Sequence, residues 1–164
     1  MYEDIGTRVA TAARAWLGTP YHHQASCRLA GCDCLGLVRG IWREVMGAEP
    51  EVPEPYSPDW GEFSPRDSLL DAARRHLVMG EGRAAGIDRV AGDERRAAAP
   101  AAPHTGDILI FRMRAGAVAK HVGIATRPGF FIHAQEHLGV VEVPLTPWWR
   151  RRVCGIFSFP QRGS

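Results

Sequence analysis

From position 105 the chain is a succession of short β-rich runs, ILIF, HVGIAT, GFFIHA, GVVEVP and VCGIFSF, each bounded by Gly or Pro. That spacing predicts four to six antiparallel strands. The segments before it have a different period. Ile5, Val9, Ala12, Ala13 and Trp16 recur at helical intervals between Glu3 and Leu17, and Gly18 and Pro20 stop the pattern. A second helix is expected from about Asp33 to Met46, with Leu35, Val38, Ile41, Trp42 and Val45 as its buried stripe and Gly47 after its end. A third is expected from Pro65 to Met79, with Leu69, Leu70, Ala73 and Leu77 inward. Helices first and a strand meander afterwards make an α+β domain.

At 164 residues this is one domain: a helical part over about 1–79, a connection over 80–104 and a sheet part over 105–160. Residues 48–66 hold Pro50, Pro53, Pro55, Pro58 and Pro65 and read as an extended surface loop. The Gly/Ala/Arg-rich stretch 80–103 reads as a mobile connection, with one short element near Ile87–Val90.

Charge argues against a nucleic-acid binder driven by bulk electrostatics: 20 basic residues stand against 18 acidic, a net of +2. No apolar run approaches the roughly 18 residues that a membrane span needs. The opening MYEDIGTRVATAARAWL carries acids where a signal peptide carries bases, so export by the usual route is not expected. The four cysteines, Cys27, Cys32, Cys34 and Cys154, are therefore expected to be reduced thiols.

The most informative residues are Asp33-Cys34-Leu35-Gly36-Leu37. Cys34 falls in the first turn of the second predicted helix, where free N–H groups and the helix dipole favour a thiolate. The same N–H groups could form an oxyanion hole. A small buried core residue is the commonest fate of a free cysteine, and on this feature alone both readings stand. A nucleophilic thiol needs a base. His121 opens one strand and His133 closes the next, and the TRPG turn between them makes a hairpin that brings the two close across the ladder. One imidazole could take the thiol proton while the other orients it. Asp33 is placed to cap the helix.

Gly18-Thr19-Pro20-Tyr21, then D-C-x-G-L at Asp33 to Leu37, G-D-I-L-I-F from Gly106, H-V-G-I from His121 and F-I-H-A from Phe131 occur in one order. In that order they resemble the NlpC family of papain-like cysteine peptidases, which cleave bacterial cell-wall peptides. The resemblance runs from about Val9 to Phe159. It implies a papain-like α+β fold, Cys34 as nucleophile, His121 as general base, His133 as the orienting third residue, and Tyr21 beside the nucleophile or substrate. His22, Asp33 and Leu35 would line the substrate groove. The implied substrate is the D-glutamyl–diamino acid bond of the peptidoglycan stem, with no metal or organic cofactor. Two positions depart from the family pattern: Leu35 stands where Ser is usual, and His22 to Ser26 replace the usual W-G-G.

The stretches GTPYHHQAS and GCDCLGLVRGIWRE look like the branch encoded beside tail genes of phages and gene transfer agents. That implies a tail-tip or baseplate component, docked on tail hub proteins. It would stay in the cytoplasm until assembled and act at the periplasmic wall of a target cell without entering a membrane. A particle subunit with an idle site, and a thiol acyltransferase or amidase, are the alternatives. A metal centre built from His22, His23, Cys27, Cys32 and Cys34 is disfavoured, because C-x4-C-x-C lacks knuckle spacing. Trp148-Trp149 followed by three arginines reads as a core cap with solvated charges, or as a docking patch.

Overall fold

The computed structural model describes residues 3–57, 67–79 and 101–161. In chain order the elements are α1 (Ile5–Ala15), β1 (Ser26–Cys27), β2 (Gly31–Cys32), α2 (Cys34–Val45), α3 (Ser68–His76), β3 (Val78–Met79), β4 (Ile108–Phe111), β5 (His121–Arg127), β6 (Phe130–Gln135), β7 (Gly139–Pro144), α4 (Pro147–Arg150) and β8 (Val153–Ser158). β1 and β2 pair as a small ribbon. The other six strands form one antiparallel sheet in the order β3-β8-β4-β5-β6-β7. This is the α+β architecture expected from the sequence.

Strand alternation separates two cores. Ile108, Ile110, Val122, Ile124, Ile132 and Ala134 face one way and pack with Val9, Ala13 and Trp16 of the α1 region, Leu37, Ile41 and Val45 of α2, and Leu69, Leu70 and Ala73 of α3. Leu109, Phe111, Ala125, Phe131 and Ile156 face the other way, beside Trp149 and Leu145. The second core is small and mostly aromatic, and α4 lies over it.

Two glycines allow α2 to approach its neighbours. A Cβ on Gly40 would stand 2.1 Å from the Trp16 ring, so its absence lets that ring lie on the helix. The Trp16 indole N–H then reaches Glu44 Oε1 at 3.0 Å. A Cβ on Gly36 would stand 1.8 Å from the Ala25 carbonyl oxygen. The buried stripe of α2 is Gly36, Leu37, Gly40, Ile41 and Val45. It is rotated from the expected one, of which Leu35, Val38 and Trp42 are only partly buried. The two glycines are the cause: contact with α1 and the 25–26 backbone selects the side of the helix that lacks side chains, which hydropathy periodicity does not register.

The third helix ends at His76, earlier than expected, because Val78 and Met79 leave it to pair with Ser158 and Phe157 of β8. The element expected near Ile87–Val90 lies outside the described residues, as do Trp60 and Phe63 of the Pro-rich stretch. Residues 51–57 form no helix or strand, as expected. Among the described residues, no helix is long and apolar enough to cross a membrane.

Candidate active site

Asp33 organises the head of α2. It is 3 % exposed, and both its carboxylate oxygens are engaged. Oδ1 accepts from the Gly36 N–H at 2.7 Å, the N-cap bond expected from sequence. Oδ2 accepts from the Gln24 N–H at 2.8 Å and from the Tyr56 hydroxyl. His23 Nδ1 stands 3.9 Å from the same oxygen. Asp33 thus joins the 23–24 loop, the helix and the Pro-rich segment.

That segment is anchored at Tyr56 and upstream of it at Glu49. The Tyr56 carbonyl accepts from His23 Nε2 at 2.7 Å and from the Gln24 side-chain amide. Upstream, Glu49 accepts from Arg39 Nε at 2.7 Å and from Arg43 Nη1 at 2.5 Å. In sequence Tyr56 stands in the Pro-rich stretch, where an aromatic either pins the loop to the domain or offers a contact surface, and here it pins the loop. Nothing local says that its hydroxyl turns back to a cap residue 23 positions earlier.

Cys34 is half-buried at the first position of α2. Within that turn, the Gly36 N–H serves Asp33 Oδ1 and the Leu37 N–H serves the Asp33 carbonyl at 2.9 Å. The N–H groups of Cys34 and Leu35, together with that of Val122, act on the sulfur and favour its charged form. They do not prevail. Burial, and after it the Asp33 carboxylate, push the Cys34 thiol up to about 12. This corrects the expectation of a lowered thiol pKa. A helix head lowers a thiol when it is exposed, whereas here the sulfur is desolvated and has a carboxylate as its sequence neighbour.

The thiol meets β5 at its first residues. Sγ lies 4.0 Å from the Lys120 carbonyl oxygen and within reach of the Val122 N–H, so it touches the backbone on both sides of His121. In this arrangement its hydrogen-bond acceptor is that carbonyl and not an imidazole nitrogen. His121 Nε2 stands 2.8 Å from His133 Nδ1, as the hairpin reading anticipated. The register Ile124↔Ile132 makes the two histidines diagonal neighbours across the ladder.

His121 is paired across the sheet with Phe111, so both histidines belong to the face with the aromatic core. Trp149 is the residue that sequence reasoning left outside the site. Its ring stacks on His121 with centroids 5.7 Å apart and meets His133 nearly perpendicular at 5.1 Å. Phe131 covers His133 at 4.8 Å. Burial, and after it His133, hold His121 down at about 3; burial alone holds His133 at about 4. Both imidazoles are therefore neutral near neutral pH.

Tyr21 stands near Cys34 and Asp33 and borders a second feature. Burial raises its hydroxyl to about 12, followed by the charges of Cys34, Asp33 and Glu136. Beyond it opens a cleft of about 560 Å³ lined by Pro20, Tyr21, His22, Glu136, His137 and Leu138. Leu35 borders a separate, mainly apolar cavity of about 350 Å³ shared with Val38, Trp42, Tyr56 and Leu69. Of the remaining cysteines, Cys32 is buried beside the site, bridged through its backbone to Tyr21 and next to Asp33 and Cys34, while Cys154 is buried and Cys27 is exposed. Among the described residues, no cluster of three or more His, Cys, Asp or Glu side chains is placed to hold a metal ion.

Known proteins share this architecture. Structures of an NLP/P60-family lipoprotein-like protein from Staphylococcus aureus (TM-score 0.57, 16 % identity, 98 % of this chain and 43 % of that one) and of NlpC1 from Trichomonas vaginalis (TM-score 0.59, 19 % identity, 97 % and 45 %) have the same fold. So does the NlpC/p60 domain of the peptidoglycan hydrolase SagA, with TM-score 0.52, 18 % identity and 95 % and 98 % coverage. In sequence, the chain is 25 % identical over 150 residues to the murein DD-endopeptidase/murein LD-carboxypeptidase MepS of Escherichia coli K12. That alignment takes in 91 % of this chain but only 60 % of the relative's length. The model of the NlpC/P60 family matches residues 18–158, which include the Tyr21 loop, the head of α2 and the histidine hairpin, and the chain belongs to that family.

Proposed function

We propose that the chain is a cysteine peptidase acting on peptidoglycan stem peptides, with Cys34 as nucleophile, His121 as general base and His133 as the group that orients it. The observation that carries this reading is the meeting of the α2 head with the start of β5. Cys34 Sγ lies against the backbone on either side of His121, while His121 Nε2 is bonded to His133 at 2.8 Å. Family membership and the hydrolase activities named for MepS and SagA support the substrate class.

The resting pair is a neutral thiol and a neutral imidazole, so proton transfer accompanies attack. The thiol turns from the Lys120 carbonyl toward His121 and gives its proton to the imidazole as sulfur bonds to the peptide carbonyl carbon. The carbonyl oxygen becomes an oxyanion held by the Cys34 and Leu35 N–H groups, the two in this turn that no Asp33 oxygen occupies. The imidazolium returns the proton to the departing amine and the C–N bond breaks. Water, deprotonated by His121, then releases the acid from the thioester.

The finer reading is cleavage between D-glutamate and the diamino acid, with Tyr21 and His22 along the groove. Its test is mass spectrometry of purified peptidoglycan peptides incubated under reducing conditions with wild type and with Cys34→Ala. New fragments from wild type alone are expected, and their masses name the bond. Identical products from both proteins would remove Cys34 as nucleophile.

We also propose that the enzyme is carried in a phage-like tail or baseplate. The resemblance of GTPYHHQAS and GCDCLGLVRGIWRE to the tail-associated branch supports this. Co-sedimentation of the protein with purified particles is expected; its absence from them would end that reading.

A further inference from the structure

His133 is 1 % exposed and, among the described residues, its Nε2 has no hydrogen-bond partner, although Nδ1 is bonded to His121. Two neutral arrangements satisfy the bond between the rings. In one, His121 Nε2–H donates to a bare His133 Nδ1. His133 then carries its proton on Nε2, and His121 Nδ1 is bare. In the other, His133 Nδ1–H donates to His121 Nε2. His133 Nε2 is then bare, and His121 carries its proton on Nδ1, where it cannot accept one from a thiol.

The surroundings of the buried Nε2 decide between them. Phe131 at 4.8 Å and Trp149 at 5.1 Å enclose the His133 ring, and Phe111, Phe131 and Trp149 contact one another at 5.1–5.3 Å. In an aromatic enclosure of this kind an N–H is weakly satisfied by π density, whereas a bare nitrogen sets a lone pair against it. Other titratable influence is slight. Phe111 from β4, Val141 from β7 and Trp149 from α4 face the pair without charge, and the Cys34 thiol meets the backbone beside His121. Resting on the peptidase reading above, we propose that Trp149 is a positioning residue. It closes an aromatic box that holds His133 as the Nε2–H tautomer, and so leaves His121 Nδ1 bare to take the thiol proton.

The test uses the full chain with ¹⁵N-labelled histidine. Long-range ¹H–¹⁵N spectra should show protonated Nε2 on both rings in wild type. Trp149→Phe should keep that pattern and most of the activity. Trp149→Leu keeps apolar bulk without a π face. It should mix the tautomers and lower kcat about tenfold, with KM changed less than about twofold. His133 protonated on Nδ1 in wild type, or a Leu variant with unchanged tautomers and kcat, would overturn the proposal. If wild type cleaves no peptide, the peptidase reading fails, while the spectra still decide the tautomer.

Discussion

His121 Nε2 and His133 Nδ1 stand 2.8 Å apart on the face of the sheet opposite the one that packs α2, yet Cys34 of α2 touches the backbone flanking His121. The proposed nucleophile and base thus come from the two cores of the domain and meet at the start of β5. His121→Ala should lower kcat by about 10²–10⁴-fold, since it removes the proton acceptor. His133→Ala should cost less than about 10²-fold, since it frees the ring without removing it. Single-turnover rates on a stem peptide check both, and equal, negligible losses would remove the pair from the chemistry. Activity should need a reductant and survive EDTA.

Tyr56 ties the Pro-rich segment to the cap of the nucleophile helix through its bond to buried Asp33. Tyr56→Phe removes one donor to a charged acceptor and should cost about 1.5–3 kcal/mol by urea unfolding. It should also lower kcat/KM severalfold, because Asp33 sets the head of α2 and that head carries Cys34. A Phe variant with wild-type stability would show that the bond adds nothing to the fold.

The order of helices and strands, the Asp33 cap and the histidine hairpin were legible because each rests on local rules: apolar period, cap chemistry and turn length. The rotation of the α2 stripe was not, because it is set by Gly36 and Gly40 against Ala25 and Trp16, contacts made by the lack of a side chain. Trp149 was legible as a core cap, which it is, but not as a neighbour of the histidines, because Phe111, His121, Phe131 and His133 all come from other elements. The raised thiol pKa is invisible in sequence for a related reason. Helix position is written in the sequence, whereas desolvation by β5 is a tertiary fact.

Gly36 should tolerate no side chain. Its Cβ would lie 1.8 Å from the Ala25 carbonyl oxygen, a backbone atom that cannot swing aside as a side chain can. Gly36→Ala is expected to destabilise by about 1–3 kcal/mol or more and to displace Cys34, so the folded fraction loses activity as well. Gly40→Ala collides instead with the Trp16 ring, one turn further from Cys34, and should reduce stability while leaving kcat of the folded fraction nearly intact. Thermal unfolding and active-site titration on both variants separate the two effects.

Stability should fall as the pH drops below neutrality. The unfolded chain takes up protons on His121 and His133 near 6.5, whereas the folded pair resists charging until about 3 and 4. Between those limits the unfolded state binds more protons, so the contribution of the neutral pair is complete above about 6.5 and is lost as the pH falls toward 4 and then 3. It amounts to a few kcal/mol, at about 1.4 kcal/mol for each tenfold change in proton affinity. Cys34 acts with the opposite sign: a thiol held near 12 favours the fold below about 9 and loses that contribution as the pH climbs from 9 toward 12. Urea unfolding at intervals from pH 4 to 10 should therefore give a broad maximum between the two limbs. In His133→Gln the acid limb should be shallower, because one of the two buried imidazoles that must charge is gone. An acid limb of unchanged slope in that variant would show that His133 is not among the groups whose protonation opens the fold.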